Sequence, residues 1–219
     1  MGEENLKLVT LGSVPYKPIV PIALKQKRMK KIMFNDQYGL TQAVLEGRKT
    51  QTRRIAYQEP FKYYCNCGFC TEGKDKGKLF INDGNEIVAK STYKIDEVVA
   101  VAQRYSDIPY IKERYPRINT SEGWANKMFV KSSLMPHLIM ITKIRCEKLQ
   151  DISTDDCLAE GIVDFESKIN KAHFYSITDE SATYGTPKTP YAQLIDKLAG
   201  KGTWGSNPLV FVYDFVLVK

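Results

Sequence analysis

The sequence has 219 residues, of which 43% are hydrophobic, 26% are charged and 11% are aromatic. This is the composition of an ordinary folded domain, and no apolar run approaches the ~18 residues that a membrane-spanning helix needs. At roughly 150 residues per domain, the length predicts one large domain or one domain with sizeable insertions. The five cysteines are an odd number, and the start at Met1 lacks a basic and apolar signal pattern, so we expect a reducing, cytoplasmic compartment.

The net charge of +7 is concentrated in the first quarter of the chain. Residues 1–54 hold eleven Lys and Arg against four Asp and Glu, whereas residues 55–219 hold twenty-one of each. Two clusters carry the excess, at residues 25–31 and 48–54. A concentrated basic patch is typical of nucleic-acid binding through phosphate neutralisation. A solvated surface is the alternative interpretation, and it applies best to the first cluster.

The order of the segments predicts an N-terminal arm, residues 1–28, followed by a single domain, residues 29–219. Pro15, Pro18 and Pro21 interrupt the arm and favour extended chain over helix. In the domain, residues 60–92 and 162–188 lack clear periodicity and are interpreted as two inserts. No internal repeat is present.

Three short helices are predicted from caps and apolar stripes. The first has Asp36 as its N-cap and ends at Gly47, and the second begins at Ser153 with a capping-box pattern and ends at Gly161. The third begins at Thr189-Pro190, carries an apolar stripe at Leu194, Ile195 and Leu198, and closes at Gly200.

Extended segments account for most of the remaining domain. The second basic cluster suits a strand, with Lys49, Gln51 and Arg53 on one face and Thr50, Thr52 and Arg54 on the other. Further strand-like runs are residues 97–102, 127–131, 138–146 and 209–217. Several strands with few helices predict an α+β fold, with a small closed or half-closed β-barrel.

Four segments, in order, resemble the ASCH domain, a PUA-like β-barrel family, in the form found in many phage and prophage proteins. Residues 45–54, Leu-Glu-Gly-Arg-Lys-Thr-Gln-Thr-Arg-Arg, look like its signature. Residues 93–101 resemble its second segment, with Asp96-Glu97 in place of the more usual Gly-Asp. Residues 134–136 and then residues 141–152 resemble the barrel strand and the following short helix, and residues 206–215 resemble the closing strand. The likeness covers about half of the chain and neither the arm nor the inserts.

The resemblance implies a candidate site. One relative in the family is a small bacterial amidohydrolase that removes the acetyl group from N4-acetylcytidine. Its proposed catalytic Lys, Thr and Glu fall on Lys49, Thr52 and Glu160, and a following Arg falls on Arg54. Amide hydrolysis by these residues would use Thr52 as nucleophile, Lys49 as base or oxyanion partner, and Glu160 as acid. A water activated by Glu160, with Thr52 positioning the substrate, fits the same residues.

The alternative function is a binding module without catalytic activity. In both the enzymatic and the binding interpretation, the partner is RNA or a modified nucleoside. Arg48, Arg53 and Arg54 would contact phosphates, and a base would stack on an aromatic residue. The candidates for stacking are Tyr57, Tyr105 and Trp124. No cofactor is expected, and the sequence does not predict an oligomeric state.

Cys65, Cys67 and Cys70 form a weak candidate for a zinc site. Three thiolates within six residues have a knuckle-like spacing, but a fourth ligand is missing nearby. Reduced thiols in a surface loop are the preferred interpretation, so no metal is expected.

Overall fold

The computed structural model describes residues 29–57, 67–69, 77–81, 86–178 and 182–218. The strands of this part of the chain, β1 to β10 in order, are Lys31–Ile32, Gln51–Tyr57, Cys67–Phe69, Lys78–Ile81, Glu86–Lys90, Val98–Val101, Leu138–Lys148, Val163–Glu166, His173–Ser176 and Leu209–Val218. The α-helices, α1 to α5, are Leu40–Leu45, Ile111–Arg114, Thr154–Ala159, Lys188–Ala199 and Thr203–Ser206. Short 3₁₀ turns lie at Tyr105–Asp107, Ile118–Thr120, Glu122–Trp124, Lys127–Phe129, Ser132–Leu134 and Leu149–Asp151.

A five-stranded mixed sheet in the order β1-β6-β7-β10-β2 organises the fold. β1 pairs with β6 in parallel, and the other neighbouring strands are antiparallel. The α+β class predicted from the sequence is therefore confirmed. β1 and β2 are the two edges, and no pairing between described residues joins them, so the sheet is open over this part of the chain.

The core lies on both faces of the central strands β7 and β10. Ile139, Ile141, Val212 and Tyr213 are completely buried. Successive residues of β10 are buried because a central strand of a sheet covered on both sides presents neither face to water. Helix α4 contributes the fully buried Tyr191 to the same core.

A second hydrophobic cluster fills the region of short turns between β6 and β7. Tyr105, Ile108, Ile111 and Met135 are buried there. The strand predicted at residues 127–131 is wrong, because these residues contain a 3₁₀ turn whose Met128 amide donates a hydrogen bond to the side chain of Asn126. The conformation of residues 127–131 is therefore set by packing against this cluster, through Val130, and not by the strand-like composition of the segment.

The three predicted helices are present, and two of them start at other residues than predicted. α4 begins at Lys188 with Pro187 as its N-cap, so Thr189 lies inside the helix and is not the cap. α1 begins after Gly39, which has φ 63°, and not at Asp36. The Asp36 carboxylate instead accepts hydrogen bonds from Thr41 and Lys127. The short helix α3 has Ser153 as its N-cap, as predicted.

Two small sheets lie within the predicted inserts. β3, β4 and β5 form a separate three-stranded antiparallel sheet, and β8 pairs with β9 in a hairpin.

The predicted arm, residues 1–28, lies outside the described residues. Among the described helices, none combines the length and the apolar character that crossing a bilayer requires.

Candidate functional site

Backbone hydrogen bonds bring the start of β2 against the end of α3. Gly47, with φ 77°, ends α1 and turns the chain. The amide of Lys49 then donates to the carbonyl of Ala43, and the amide of Thr50 donates to the carbonyl of Ala159, each at 2.9 Å. These bonds fix the backbone from which the Lys49 side chain projects.

The end of α3 is shaped by Gly161, which directly follows the C-cap residue Glu160. Gly161 has φ 102°, a left-handed conformation that side chains disfavour. A Cβ atom there would lie 3.4 Å from Leu40 and 3.6 Å from Lys49. Glycine is therefore favoured here by the backbone turn, because the added Cβ atom would make only ordinary contacts with Leu40 and Lys49.

Lys49 and Glu160 form a buried ion pair. The Lys49 ammonium donates to Glu160 Oε2 and to the Glu160 carbonyl, both at 2.6 Å. The two side chains are only 2% and 6% exposed. Burial lowers the pKa of Lys49 below its ordinary value, and the attraction of Glu160 opposes this shift without cancelling it. Lys49 thus gives up a proton more readily than a surface lysine does.

Arg53 holds the second oxygen of the same carboxylate. Its Nη1 donates to Glu160 Oε1 at 3.2 Å, and its Nη2 donates to Glu147 Oε1 at 2.6 Å and to Asp156 Oδ2 at 2.9 Å. Burial disfavours its charge, but Glu160 and the other acidic groups outweigh burial and raise the pKa of Arg53. The guanidinium is therefore a permanent positive charge enclosed by carboxylates.

Arg145 extends this network across the sheet. It donates to Glu147, Asp156 and Asp214, and the Gln51 amide donates to Asp156 and Asp214. Arg53 and Arg145 both lie opposite Val212 of β10, on its two sides, so register places them in one row. Three cations, Lys49, Arg53 and Arg145, thus meet four carboxylates, Glu147, Asp156, Glu160 and Asp214. Two of the four basic residues of the second cluster, Lys49 and Arg53, are therefore neutralised within the fold.

A cavity of about 620 Å³ lies beside this network. Its polar wall contains Lys49, Thr52, Arg53, Arg54 and Glu160. The rest of the lining is largely apolar, and helix α4 contributes Leu194, Ile195, Leu198 and Ala199 to it. This cavity is therefore lined by all three residues predicted to be catalytic, Lys49, Thr52 and Glu160.

Arg54 and Lys127 are further cations lining the cavity. Arg54 is exposed, donates to the carbonyl of Met33 at 2.7 Å and lies 6.0 Å from the ring centroid of Phe34. Lys127 forms an ion pair with Asp36 at 2.7 Å. Burial acts to raise the pKa of Asp36, but the bonds from Lys127 and Thr41 outweigh it and lower the pKa.

Several residues expected to bind nucleic acid lie elsewhere. Arg48 is exposed and paired with Glu46, outside this cavity. Tyr105 is 3% exposed, and its ring is covered by Gly123, so it has no open face for a base. Trp124 packs half-buried against the same cluster.

Two of the predicted groups fall outside the described side chains. The side chains of Tyr57 and Cys67 are not described, and Cys65 and Cys70 lie outside the described residues. In the described part of the chain, no group of three or more His, Cys, Asp or Glu residues is arranged to hold a metal ion.

Sequence reasoning did not find Tyr191, which lines the cavity from α4. Its ring is completely buried, and its hydroxyl has no hydrogen-bond partner among the residues that the structure describes. A signal for it exists, because Tyr191 extends the stripe of Leu194, Ile195 and Leu198 by one helical turn. Asp214 was also missed, since its role depends on strand register, and Asp156 was missed because it lies on α3 and meets Arg53 and Arg145 only in the folded chain.

Comparisons of the chain with protein-family models, with curated proteins and with solved structures found no match.

Proposed function

We propose that this chain is an ASCH-type, PUA-like protein that binds a modified nucleoside in the cavity and hydrolyses an N4-acylcytidine-type amide. The observation that supports this proposal is the meeting of Lys49, Thr52 and Glu160 in one cavity. These residues were selected by resemblance alone, from two segments more than a hundred positions apart. In this proposal the five-stranded sheet corresponds to the half-closed form of the family's barrel.

The size and walls of the cavity suit a nucleoside. Small-molecule sites commonly occupy about 300–1,000 Å³ and combine apolar walls with a few convergent polar groups. The volume of about 620 Å³ falls in this range. A flat base would lie against Leu194 and Leu198 of α4, and its polar edge would face Lys49 and Glu160.

The contacts favour Glu160 as proton acceptor and Lys49 as proton donor. Both oxygens of Glu160 accept hydrogen bonds from cations, Lys49 and Arg53. Burial lowers the pKa of Lys49, which makes its ammonium group a stronger acid than that of a surface lysine. These roles reverse those expected from the sequence.

Amide cleavage then proceeds in two steps, formation of an ester on Thr52 and its hydrolysis. Glu160 takes the proton of the Thr52 hydroxyl as the hydroxyl oxygen bonds to the acyl carbon. The carbon–nitrogen bond breaks, and Lys49 protonates the departing exocyclic nitrogen, which leaves an ester on Thr52. In the second step a water oxygen bonds to the acyl carbon of the ester, and the water gives its proton to Lys49. The bond between the acyl carbon and the Thr52 oxygen then breaks, and Glu160 returns a proton to that oxygen. The products are cytidine and acetic acid.

The test is incubation of purified protein with N4-acetylcytidine, with cytidine and acetate measured by chromatography. Lys49→Met, Glu160→Gln and Thr52→Val should each lower the rate by roughly a hundredfold or more, since each removes a proton-transfer or nucleophilic group. Glu46→Gln, an exposed change outside the cavity, is the matched control and should keep the wild-type rate. A wild-type protein that is inactive on a panel of N4-acylated cytidines would remove the enzymatic proposal.

The role of Thr52 can be separated from that of an activated water. An ester on Thr52 adds the mass of an acetyl group to its peptide, which mass spectrometry detects after acid quenching. Thr52→Ser should retain part of the activity if the hydroxyl is the nucleophile. Activity in Thr52→Val close to that of Thr52→Ser, without an acetylated peptide, would assign the attack to water held by Glu160.

RNA binding without turnover is the second candidate, favoured by the exposed Arg54 at the cavity and the net charge of +7. For a single-stranded RNA oligonucleotide, affinity should fall steeply as salt is added. Arg54→Gln should reduce the slope of log affinity against log salt by about 0.7 if Arg54 neutralises one phosphate. An unchanged slope would remove Arg54 from the interface.

A further inference from the structure

Tyr191 combines complete burial with an unused hydrogen-bonding group. It is 0% exposed, and among the described residues its hydroxyl is the one buried side-chain polar atom that lacks a partner. Buried polar groups are nearly always paired, because an unpaired one loses its bonds to water without compensation. An unpaired hydroxyl in a native fold therefore requires an explanation.

The described neighbours of Tyr191 leave this bond unmade, because their side chains bond to one another instead. Glu160 accepts from Lys49 and Arg53, and Arg53 donates to Gln51, Glu147, Asp156 and Glu160. The ring is also fixed, since it makes an edge-to-face contact with Trp204 at 6.1 Å between centroids.

Burial and the negative charge of Glu160 keep the hydroxyl protonated. Burial acts most strongly, Glu160 adds to it and Arg53 opposes both, and together they raise the pKa of Tyr191 well above its ordinary value. The group is thus a neutral hydrogen-bond donor throughout the physiological range. A neutral donor that lines a cavity with an apolar wall suits an uncharged acceptor, such as a carbonyl oxygen on a flat ring.

We infer that Tyr191 is a ligand-binding residue whose hydroxyl donates to a carbonyl oxygen of an uncharged planar ligand in the cavity. This inference rests on the proposed function, because a pyrimidine ring with its carbonyl and acyl oxygens is such a ligand. The bond between protein and ligand replaces the partner that the folded chain lacks.

Tyr191→Phe removes only the hydroxyl, so it separates binding from structure. The variant should keep the wild-type unfolding temperature or exceed it, because no bond within the chain is lost. Its dissociation constant for N4-acetylcytidine, measured by calorimetry, should rise about tenfold or more. A lower unfolding temperature with unchanged affinity would overturn the inference and assign the hydroxyl a structural role.

Tyr213→Phe is the matched control. Tyr213 is equally buried, but its hydroxyl accepts bonds from Ser91 and from the amide of Thr92, each at 3.1 Å, away from the cavity. This variant should unfold about 2–4 °C or more below wild type and keep the wild-type dissociation constant.

Failure of the proposed function can be told apart from failure of this inference. Uracil and acetamide are neutral carbonyl probes, and their binding is followed by chemical-shift changes on wild type and Tyr191→Phe. Binding of either probe that weakens in the variant supports the inference, even when N4-acetylcytidine is neither bound nor cleaved. Binding of none of the three compounds to the wild type, or equal binding to both proteins, overturns it.

Discussion

The ammonium nitrogen of Lys49 lies 2.6 Å from Oε2 of Glu160, although 111 positions separate the two residues in the chain. Removal of one partner of a buried pair leaves the other charge without compensation, which costs about 3–5 kcal/mol. Lys49→Met and Glu160→Gln should therefore each lower the free energy of unfolding substantially. The double variant should be more stable than the sum of the single effects predicts, by about 0.5–3 kcal/mol. Urea unfolding of the wild type, the two single variants and the double variant measures this coupling energy. Strictly additive losses of unfolding free energy would show that the two residues do not act as a pair.

The lowered pKa of Lys49 predicts a pH-dependent stability. In the fold, burial holds this pKa below its ordinary value of 10.5, against the opposing charge of Glu160 and with help from the nearby Arg53 and Arg54. Between the lowered pKa and 10.5 the unfolded chain binds more protons than the folded chain, so stability rises with pH across this window.

The contribution of Lys49 is isolated by comparing wild type with Lys49→Met at each pH, because the other titrating groups then cancel. From pH 7 to pH 10, the difference in free energy of unfolding should move in favour of the wild type, by at most about 1.4 kcal/mol per pH unit. A constant difference across the range would mean that the pKa of Lys49 is the same in both states.

Even the conservative substitution Arg53→Lys is expected to destabilise the fold. A lysine cannot reproduce the fork of donors that Arg53 directs at Glu147, Asp156 and Glu160. We expect Arg53→Lys to lower the free energy of unfolding by about 2–3 kcal/mol. Arg48→Lys is the control, because Arg48 forms an exposed, solvent-screened pair that contributes little to stability. Equal losses in chemical denaturation would argue against the buried network.

Gly123 has no room for a side chain. A Cβ atom there would lie 2.5 Å from the ring of Tyr105, which is itself held in the second hydrophobic cluster. Gly123→Ala should therefore cost about 1–3 kcal/mol, because the ring must shift inside a packed core. At Gly185 nothing lies within 4 Å of the added atom, so Gly185→Ala should leave the unfolding temperature nearly unchanged. A tolerated alanine at Gly123 would show that this contact is loose.

Elements with strong local signals were predictable from the sequence. Helix α4 carries an apolar stripe and ends at Gly200, and β10 is a run of β-branched and aromatic residues. Residues 127–131 have a similar strand-like composition, yet they adopt a 3₁₀ turn because tertiary packing and the Asn126 cap override propensity.

The site was predictable only in part. Lys49, Thr52 and Glu160 came from the resemblance, and the structure places them at one cavity. Arg145 and Asp214 were missed because their contacts depend on the register of β7 and β2 against β10, which no local pattern encodes. Tyr105 looked available for stacking, but burial of an aromatic ring depends on residues far away in sequence.

Within the described residues, β2 pairs only with β10, the last strand of the chain. During synthesis from the ribosome, about 150 residues must follow β2 before this partner emerges, and such non-local pairing forms slowly. Thr52 and the rest of β2 therefore gain their supporting strand only after about 150 further residues have been synthesised. A nascent chain interrupted before β10 has all three proposed catalytic residues but lacks the strand that supports β2.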